Sequence, residues 1–245
     1  MIIKIIEKIK KSKSLIWLEE NKLKFKLGKE ISTDKFKLIL ARHKEELIFF
    51  AKQNNLYDRE DLYKVNIYKY QLDEYGLSFA QERLWFIEQY EKGSNAYHIP
   101  ILVFINEGVD IGAIKDSLIS IVDRHEVLRS VFSTNDDGSD YQVILNKKLA
   151  INEYSYRDTD IDKQIDIDIN TPFDLVLEYP IRVSIYKEKL DTKLLINIHH
   201  IASDGWSTDV LLKELQAYYD YYSGQADKVD LPDLSIQYKD FAVWQ

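Results

Sequence analysis

Hydrophobic and polar positions switch between a helical and a strand-like period along the chain, and the switches mark its elements. Ile2, Ile5, Ile6 and Ile9 recur at three- and four-residue spacing among lysines, which predicts a short amphipathic helix. SLIWLE at Ser14–Glu19 and KLKFKL at Lys22–Leu27 predict two strands around a Glu20-Asn21 turn. In the second strand Leu23, Phe25 and Leu27 share one face, and Lys22, Lys24 and Lys26 share the other. Ser32-Thr33-Asp34 offers an N-cap, after which Phe36, Leu40, Leu47 and Phe50 mark one or two helices through about residue 54. Residues 1–56 thus read as a small α+β unit of helix, β-hairpin and helix.

From Leu77 onward the periods interleave. Ser78 followed by Gln81 forms a capping box ahead of FAQERLWFIEQY. Tyr97–Asn106 alternates Ile99, Ile101, Val103 and Ile105 as a strand. Ile111, Ile114, Leu118, Ile121, Val122 and His125 then form a helical stripe that ends within Arg124–Arg129. Leu128–Ser133 and Tyr141–Leu145 predict a hairpin around NDDGSD, and Ile181–Tyr186 and Leu194–His200 predict two further strands. Trp206–Tyr222 reads as a long helix, and Leu231-Pro232 introduces a segment ending in YKDFAVWQ. Helices and strands alternate without a repeat, which predicts a layered α/β architecture.

Charge sharpens this division. Residues 1–56 carry 13 Lys and 1 Arg against 7 acids, a net of +7, while the remainder carries 19 basic and 34 acidic residues, a net of −15. Such a break predicts two units with different partners. The connection falls at Tyr57–Gly76, a charged, tyrosine-rich stretch with no glycine inside it, expected to lie partly against the larger unit. The lysines of the predicted edge strand admit two readings. They discourage pairing with other chains, or they receive an extended acidic peptide as a further strand.

Composition excludes several classes. At 245 residues, 45% hydrophobic and 13% aromatic, the chain can bury a core, so disorder does not describe it. Zero cysteine removes disulfides, cysteine-based zinc sites and thiol nucleophiles, and fits a reducing cytoplasm. No two glycines are adjacent or two apart, so neither GxGxxG nor GxxxxGK[ST] exists. Charges at Lys4, Glu7, Lys8 and Lys10 interrupt the apolar opening, which excludes a signal peptide, and no stretch reaches the roughly 20 apolar residues of a membrane span. A soluble, cytoplasmic chain without a nucleic-acid or membrane partner is expected.

The dense cluster of chemically able residues is His199-His200-Ile201-Ala202-Ser203-Asp204-Gly205-Trp206-Ser207. Adjacent strand residues point to opposite faces, so His199 and His200 cannot grip one metal, and no metal site is expected. Ser203 and Ser207 lack the Gly-x-Ser-x-Gly elbow of a serine hydrolase. By residue type alone, a strand end with a glycine-containing turn and two satisfied histidines is the favoured description of the cluster.

HHIASDGWS resembles the HHxxxDG motif of nonribosomal peptide synthetase condensation domains. LSFAQERLWF at Leu77–Phe86, RHEVLRSVF at Arg124–Phe132 and YKDFAVWQ at Tyr238–Gln245 resemble three further segments of that family in the same order. TPFDLVLEYPIR at Thr171–Arg182 resembles a fifth, with Tyr179 where glycine is usual. The resemblance implies a chloramphenicol-acetyltransferase-like fold for residues 77–245, of which this stretch is the first lobe, with the second lobe absent. It further implies amide formation between an acyl or peptidyl thioester and an aminoacyl amine, both held on the phosphopantetheine of donor and acceptor carrier domains. No carrier attachment sequence or directly bound cofactor is expected here, and the fragment alone is expected to be inactive.

Under this resemblance His200 is the catalytic residue, as general base or by orienting and stabilising the charged intermediate. Asp204 is structural and held by an arginine, Arg124 first and Arg129 second. Gly205 permits a tight turn, His199 packs against or bonds the loop, and Trp206 and Ser207 pack and cap the next helix. A related HHxxxDG acyltransferase or an epimerization domain is the alternative. Residues 1–55 also resemble the β-hairpin docking domains at synthetase N-termini. That likeness implies binding of the acidic C-terminal tail of an upstream subunit along Lys22, Leu23, Lys24, Phe25 and Lys26, and leaves open an interaction-only role.

Overall fold

The structure, a computed structural model, describes residues 1–28, 33–91, 93–189 and 191–245. Met1–Leu72 forms one compact unit and Asp73–Val243 a second.

In the first unit, α1 (Ile2–Lys11) buries the isoleucine stripe read from its spacing. Strands β1 (Leu15–Glu19) and β2 (Lys22–Lys26) pair antiparallel with Glu19 opposite Lys22. Glu20 and Asn21 take φ of 48° and 61°, the left-handed pair that a two-residue hairpin turn requires. β1 buries Ile16 and Leu18, whereas β2 is exposed except at half-buried Leu23; Phe25 is 41% exposed. Gly28 lies against the Ser12 carbonyl oxygen, where a Cβ would come within 1.8 Å. Helices α2 (Thr33–Arg42) and α3 (Lys44–Gln53) meet at His43 and bury Phe36, Leu40, Leu47 and Phe50. Ser32, the first residue of the expected N-cap, lies outside the described residues.

The stretch expected as a connection against the larger unit is divided instead. Residues 57–72 complete the first unit's own core, with α4 (Asp61–Lys64) burying Leu62, and with Tyr68 and Tyr70 packed at 5.6 and 5.4 Å from the Phe50 ring. Tyrosine does this because its ring is apolar and its hydroxyl can bond a backbone carbonyl. Tyr63 donates to Ser14 at 2.8 Å and Tyr68 to Leu62. Asn54 pairs with both backbone groups of Lys69, at 2.8 and 3.0 Å.

The second unit opens with β3 (Tyr75–Gly76), α5 (Phe79–Tyr90), β4 (His98–Ile105) and α6 (Ile111–Arg124). The Ser78–Gln81 capping box is present, and Asp110 caps α6. A short 3-10 turn, Glu126–Arg129, leads to β5 (Ser130–Thr134), which pairs with β6 (Asp140–Ile144). β7 (Ile151–Ser155) and α7 (Ile161–Asn170) follow, then β8 (Ile181–Lys187), β9 (Thr192–His199), α8 (Gly205–Tyr222) and α9 (Tyr238–Trp244). Two sheets result, one ordered β3-β6-β5 and the other β4-β9-β8-β7. This is the mixed α/β layering expected.

β7 and α7 escaped the periodicity reading. IDKQIDIDIN alternates Ile and Asp as a strand would, yet Ile161, Ile165 and Ile169 also share one helical face, and that face packs on the sheet. Asp160 starts the helix by accepting the Lys163 N–H at 3.3 Å.

β9 is the central strand that positions the site. Leu194, Ile196 and Ile198 pack with Leu118 and Ile121 of α6 and Leu211 of α8. Leu195, on the opposite face, packs with Tyr186 of β8 and with Ile161 and Ile165 of α7. Covered on both faces, β9 is buried without a break from Leu194 to His199, with polar Asn197 inside the run.

Candidate active site

β9 ends at His199, and the chain turns through His200 into α8. The two histidines part there: His199 is 1% exposed and His200 is exposed. His200 shares its phase with Leu194, Ile196 and Ile198, but the strand stops one residue before it, so its ring leaves the core. Its own N–H is bonded to the Tyr97 carbonyl at 2.8 Å, which fixes where the turn begins.

His199 is held as a neutral ring. The Ile201 N–H donates to its Nδ1 at 3.1 Å, so that nitrogen carries no proton, and Nε2–H donates to Glu88 Oε1 at 3.0 Å. Burial, and then the neighbouring His98 and His200, pushes its pKa down to about 4. Burial first, then Glu91, pushes the Glu88 carboxyl up. The contact is therefore a hydrogen bond from a neutral imidazole, and no ion pair forms at neutral pH. Phe173 and His98 pack around the ring, at 5.8 and 6.2 Å.

Asp204 is the N-cap of α8. It accepts the Ser207 N–H at 2.9 Å and the Ser207 Oγ–H at 2.7 Å, and these bonds, led by the hydroxyl, hold its carboxyl below the usual range. The expected pairing with arginine does not form. Arg124 donates from Nε to Glu214 of α8 at 3.1 Å and also bonds the Pro232 carbonyl. Arg129 bonds the Leu145 carbonyl at 2.9 Å and Asn146 Oδ1 at 2.7 Å. The buried Glu214 carboxylate takes Arg124 because both emerge from packed helices, and its other oxygen lies 2.6 Å from His125 Nε2. Ser207 is thus the residue being capped rather than the cap. Trp206, expected to pack, is 84% exposed. Gly205 is the first residue of α8.

The turn borders a cavity of about 600 Å³, within the range of small-ligand sites. Ala80 and Leu84 of α5 line it together with Tyr97, His125, His200 and Tyr238. Ser78 Oγ lies 2.9 Å from the Tyr238 hydroxyl, and Gln237 bonds both the Arg124 carbonyl and the Glu126 N–H, which joins the walls. Sequence reasoning missed Glu88 and Glu214. Each is an acid on an otherwise apolar helical stripe: Leu84, Trp85 and Glu88 on α5, and Leu211, Glu214 and Tyr218 on α8. That misplacement is a readable signal.

A family model described as Condensation domain matches residues 71–245. The chain belongs to the condensation-domain family. Among its relatives, Nonribosomal peptide synthetase dtxS1 of Metarhizium robertsii is 37% identical over 173 residues, 69% of this chain and 2% of its own length. Cyclosporin synthetase simA of Tolypocladium inflatum is 40% identical over 176 residues, again 69% of this chain and 1% of that protein. The chain therefore spans only a small part of these relatives. The X-domain of teicoplanin biosynthesis, solved with OxyB, superposes with a TM-score of 0.62 at 22% identity, covering 74% of this chain and 39% of that one. The epimerization domain from the third module of tyrocidine synthetase B gives 0.58 at 22%, covering 69% and 40%. These likenesses show the shared fold of the condensation-domain unit. Among the described residues no helix is long and apolar enough to cross a membrane.

Proposed function

We propose that this chain contributes the His200-bearing half of a condensation active site in a nonribosomal peptide synthetase subunit. The reaction joins a carrier-bound acyl or peptidyl thioester to a carrier-bound aminoacyl amine. The amine attacks the thioester carbonyl, the C–N bond forms, the C–S bond breaks, and the pantetheine thiol leaves with a proton. Both substrates reach the site on phosphopantetheine arms of other domains.

One observation carries this reading. His200 is exposed at the 600 Å³ cavity, while its neighbours His199 and Asp204 spend their polar atoms on the turn and the helix cap. Among the described residues His200 is then the imidazole of the turn whose ring has no hydrogen-bond partner, within reach of an amine delivered into the cavity, as base or as orienting donor. In the intact polypeptide, His200→Ala should lower single-turnover amide formation with loaded carriers by roughly 10²–10⁴-fold, with an unchanged melting temperature. A wild-type rate would reject the assignment. The match covers 40% of the solved epimerization-domain chain. The 245-residue chain alone should therefore give no amide.

The first unit is proposed as the dock for the acidic C-terminal tail of an upstream subunit. The supporting observation is β2, whose lysines 22, 24 and 26 are exposed and which, among the described residues, pairs only with β1 in its two-stranded sheet. An extended peptide would add beside it by main-chain hydrogen bonds.

A further inference from the structure

Glu88 has no part in the reaction as proposed, yet it is a carboxylate whose side chain is only 10% exposed, set on the face of α5 that packs into the second unit. Its Oε1 receives the His199 Nε2–H at 3.0 Å. The opposite nitrogen of that ring receives the Ile201 N–H at 3.1 Å, in a buried bond across the turn that carries His200. The His199 carbonyl accepts the Ala202 N–H at 3.0 Å in the same turn. A neutral imidazole has one donor and one acceptor, so the two bonds are linked: whatever takes the Nε2 proton leaves Nδ1 free to accept. Without an acceptor at Nε2, the tautomer that Ile201 favours leaves its own Nε2–H unpaired in a dry site, and the alternative places a proton on Nδ1, facing the Ile201 N–H. Two donors then oppose each other in a dry site, and the turn must open to relieve them.

We propose that Glu88 is a positioning residue for His200, acting through His199: together with the Ile201 N–H it holds the Nε2–H tautomer and thereby locks the 199–202 turn that aims His200 into the cavity. The proposal rests on the condensation reading for the chemistry at His200, but the tautomer lock is independent of that chemistry. α5 suits the role because its start is tied down at both ends of the Ser78–Gln81 capping box. Trp85, one turn before Glu88, is fixed by core packing and by its indole N–H, which bonds Asp140 at 3.2 Å. The carboxylate therefore arrives on a rigid element, as a positioning group must.

Two variants separate the roles. Glu88→Gln keeps an oxygen that can accept from Nε2–H, whereas Glu88→Met keeps the length and removes the acceptor. Histidine 15N spectra of the 245-residue chain should show His199 protonated at Nε2 alone in the wild type and in Glu88→Gln. Glu88→Met should show Nδ1 protonated in a substantial fraction. An unchanged Nε2–H tautomer in Glu88→Met would overturn the proposal, whatever the reaction proves to be. In the intact polypeptide, Glu88→Met should lower the maximal rate of amide formation about a hundredfold with KM for the loaded carriers unchanged, the size of effect that misplacement by an ångström produces. Glu88→Gln should recover most of that rate. A wild-type rate in Glu88→Met alongside an inactive His200→Ala would refute the positioning role and leave the condensation reading intact. A wild-type rate in His200→Ala would sink that reading and leave the tautomer result standing.

Discussion

Strand β9 of the second unit is buried over six consecutive residues, Leu194–His199, whereas β2 of the first has a single half-buried residue, Leu23, among exposed ones. β9 lies between two strands and beneath helices on both faces; among the described residues β2 pairs only with β1. The first arrangement holds the turn that carries His200 on a fully packed strand, which the chemistry proposed at His200 requires. The second leaves backbone groups and lysine charge open, which suits recognition of another chain. Precision comes from burial, and availability comes from its absence.

That contrast is most directly broken by cutting into each strand. Ile196→Ala, at a residue with 0% exposure, should cost about 2–5 kcal/mol in denaturant unfolding. Phe25→Ala in β2 should stay within about 0.5 kcal/mol, because its ring already meets water. Equal losses would remove the distinction.

Acid should find the same difference through His199. Its folded pKa is held at about 4 against an unfolded 6.5. Between these values the unfolded chain binds the extra proton, so stability rises with pH there and falls as the solution is acidified from 6.5 towards 4. A depression of this size corresponds to about 3 kcal/mol. Melting curves of His199→Gln, which keeps one donor and one acceptor but cannot titrate, should lack that slope; an identical slope would place its origin elsewhere.

A smaller effect belongs to Asp204. As a helix cap bonded to Ser207, its replacement by alanine should cost about 0.5–2 kcal/mol, far below the loss from stranding a buried arginine. Its depressed carboxyl pKa means that this contribution is present above the ordinary aspartate range and fades as pH drops through the folded value. A loss of about 3 kcal/mol or more in thermal melts would revive the ion-pair reading.

The weakest lever is charge on β2. Reversing Lys24 and Lys26 to Glu should leave the unit folded and weaken binding of an acidic peptide modestly, at about 0–1 kcal/mol per pair, with affinity falling as salt rises. Lys24 already lies 3.3 Å from Glu19, so part of its field is spent within the hairpin. Calorimetric titration that shows salt-independent binding would leave the lysines only the task of keeping an edge strand solitary.

Elements whose pattern is local were legible in the order of residues. The isoleucine stripe of α1, the turn at Glu20-Asn21, the Ser78–Gln81 cap and the shared face of Leu194, Ile196 and Ile198 ahead of His200 follow from spacing, because backbone geometry sets which side chains share a face. His200 is marked differently, by the resemblance of HHIASDGWS to a family motif rather than by spacing. What each polar group binds was settled only by packing. Asp204 met Ser207 three residues on rather than Arg124, Arg124 met Glu214 ninety residues away, and His199 found Glu88 across the unit. The same holds for residues 57–72, whose tyrosines could have covered either unit and were drawn into the first by Phe50 and Asn54. A buried donor or acceptor must be satisfied, but sequence separation places no bound on where its partner comes from. That choice is made when helices and strands pack, and it is the choice that leaves His200 free in the turn while its neighbour is locked.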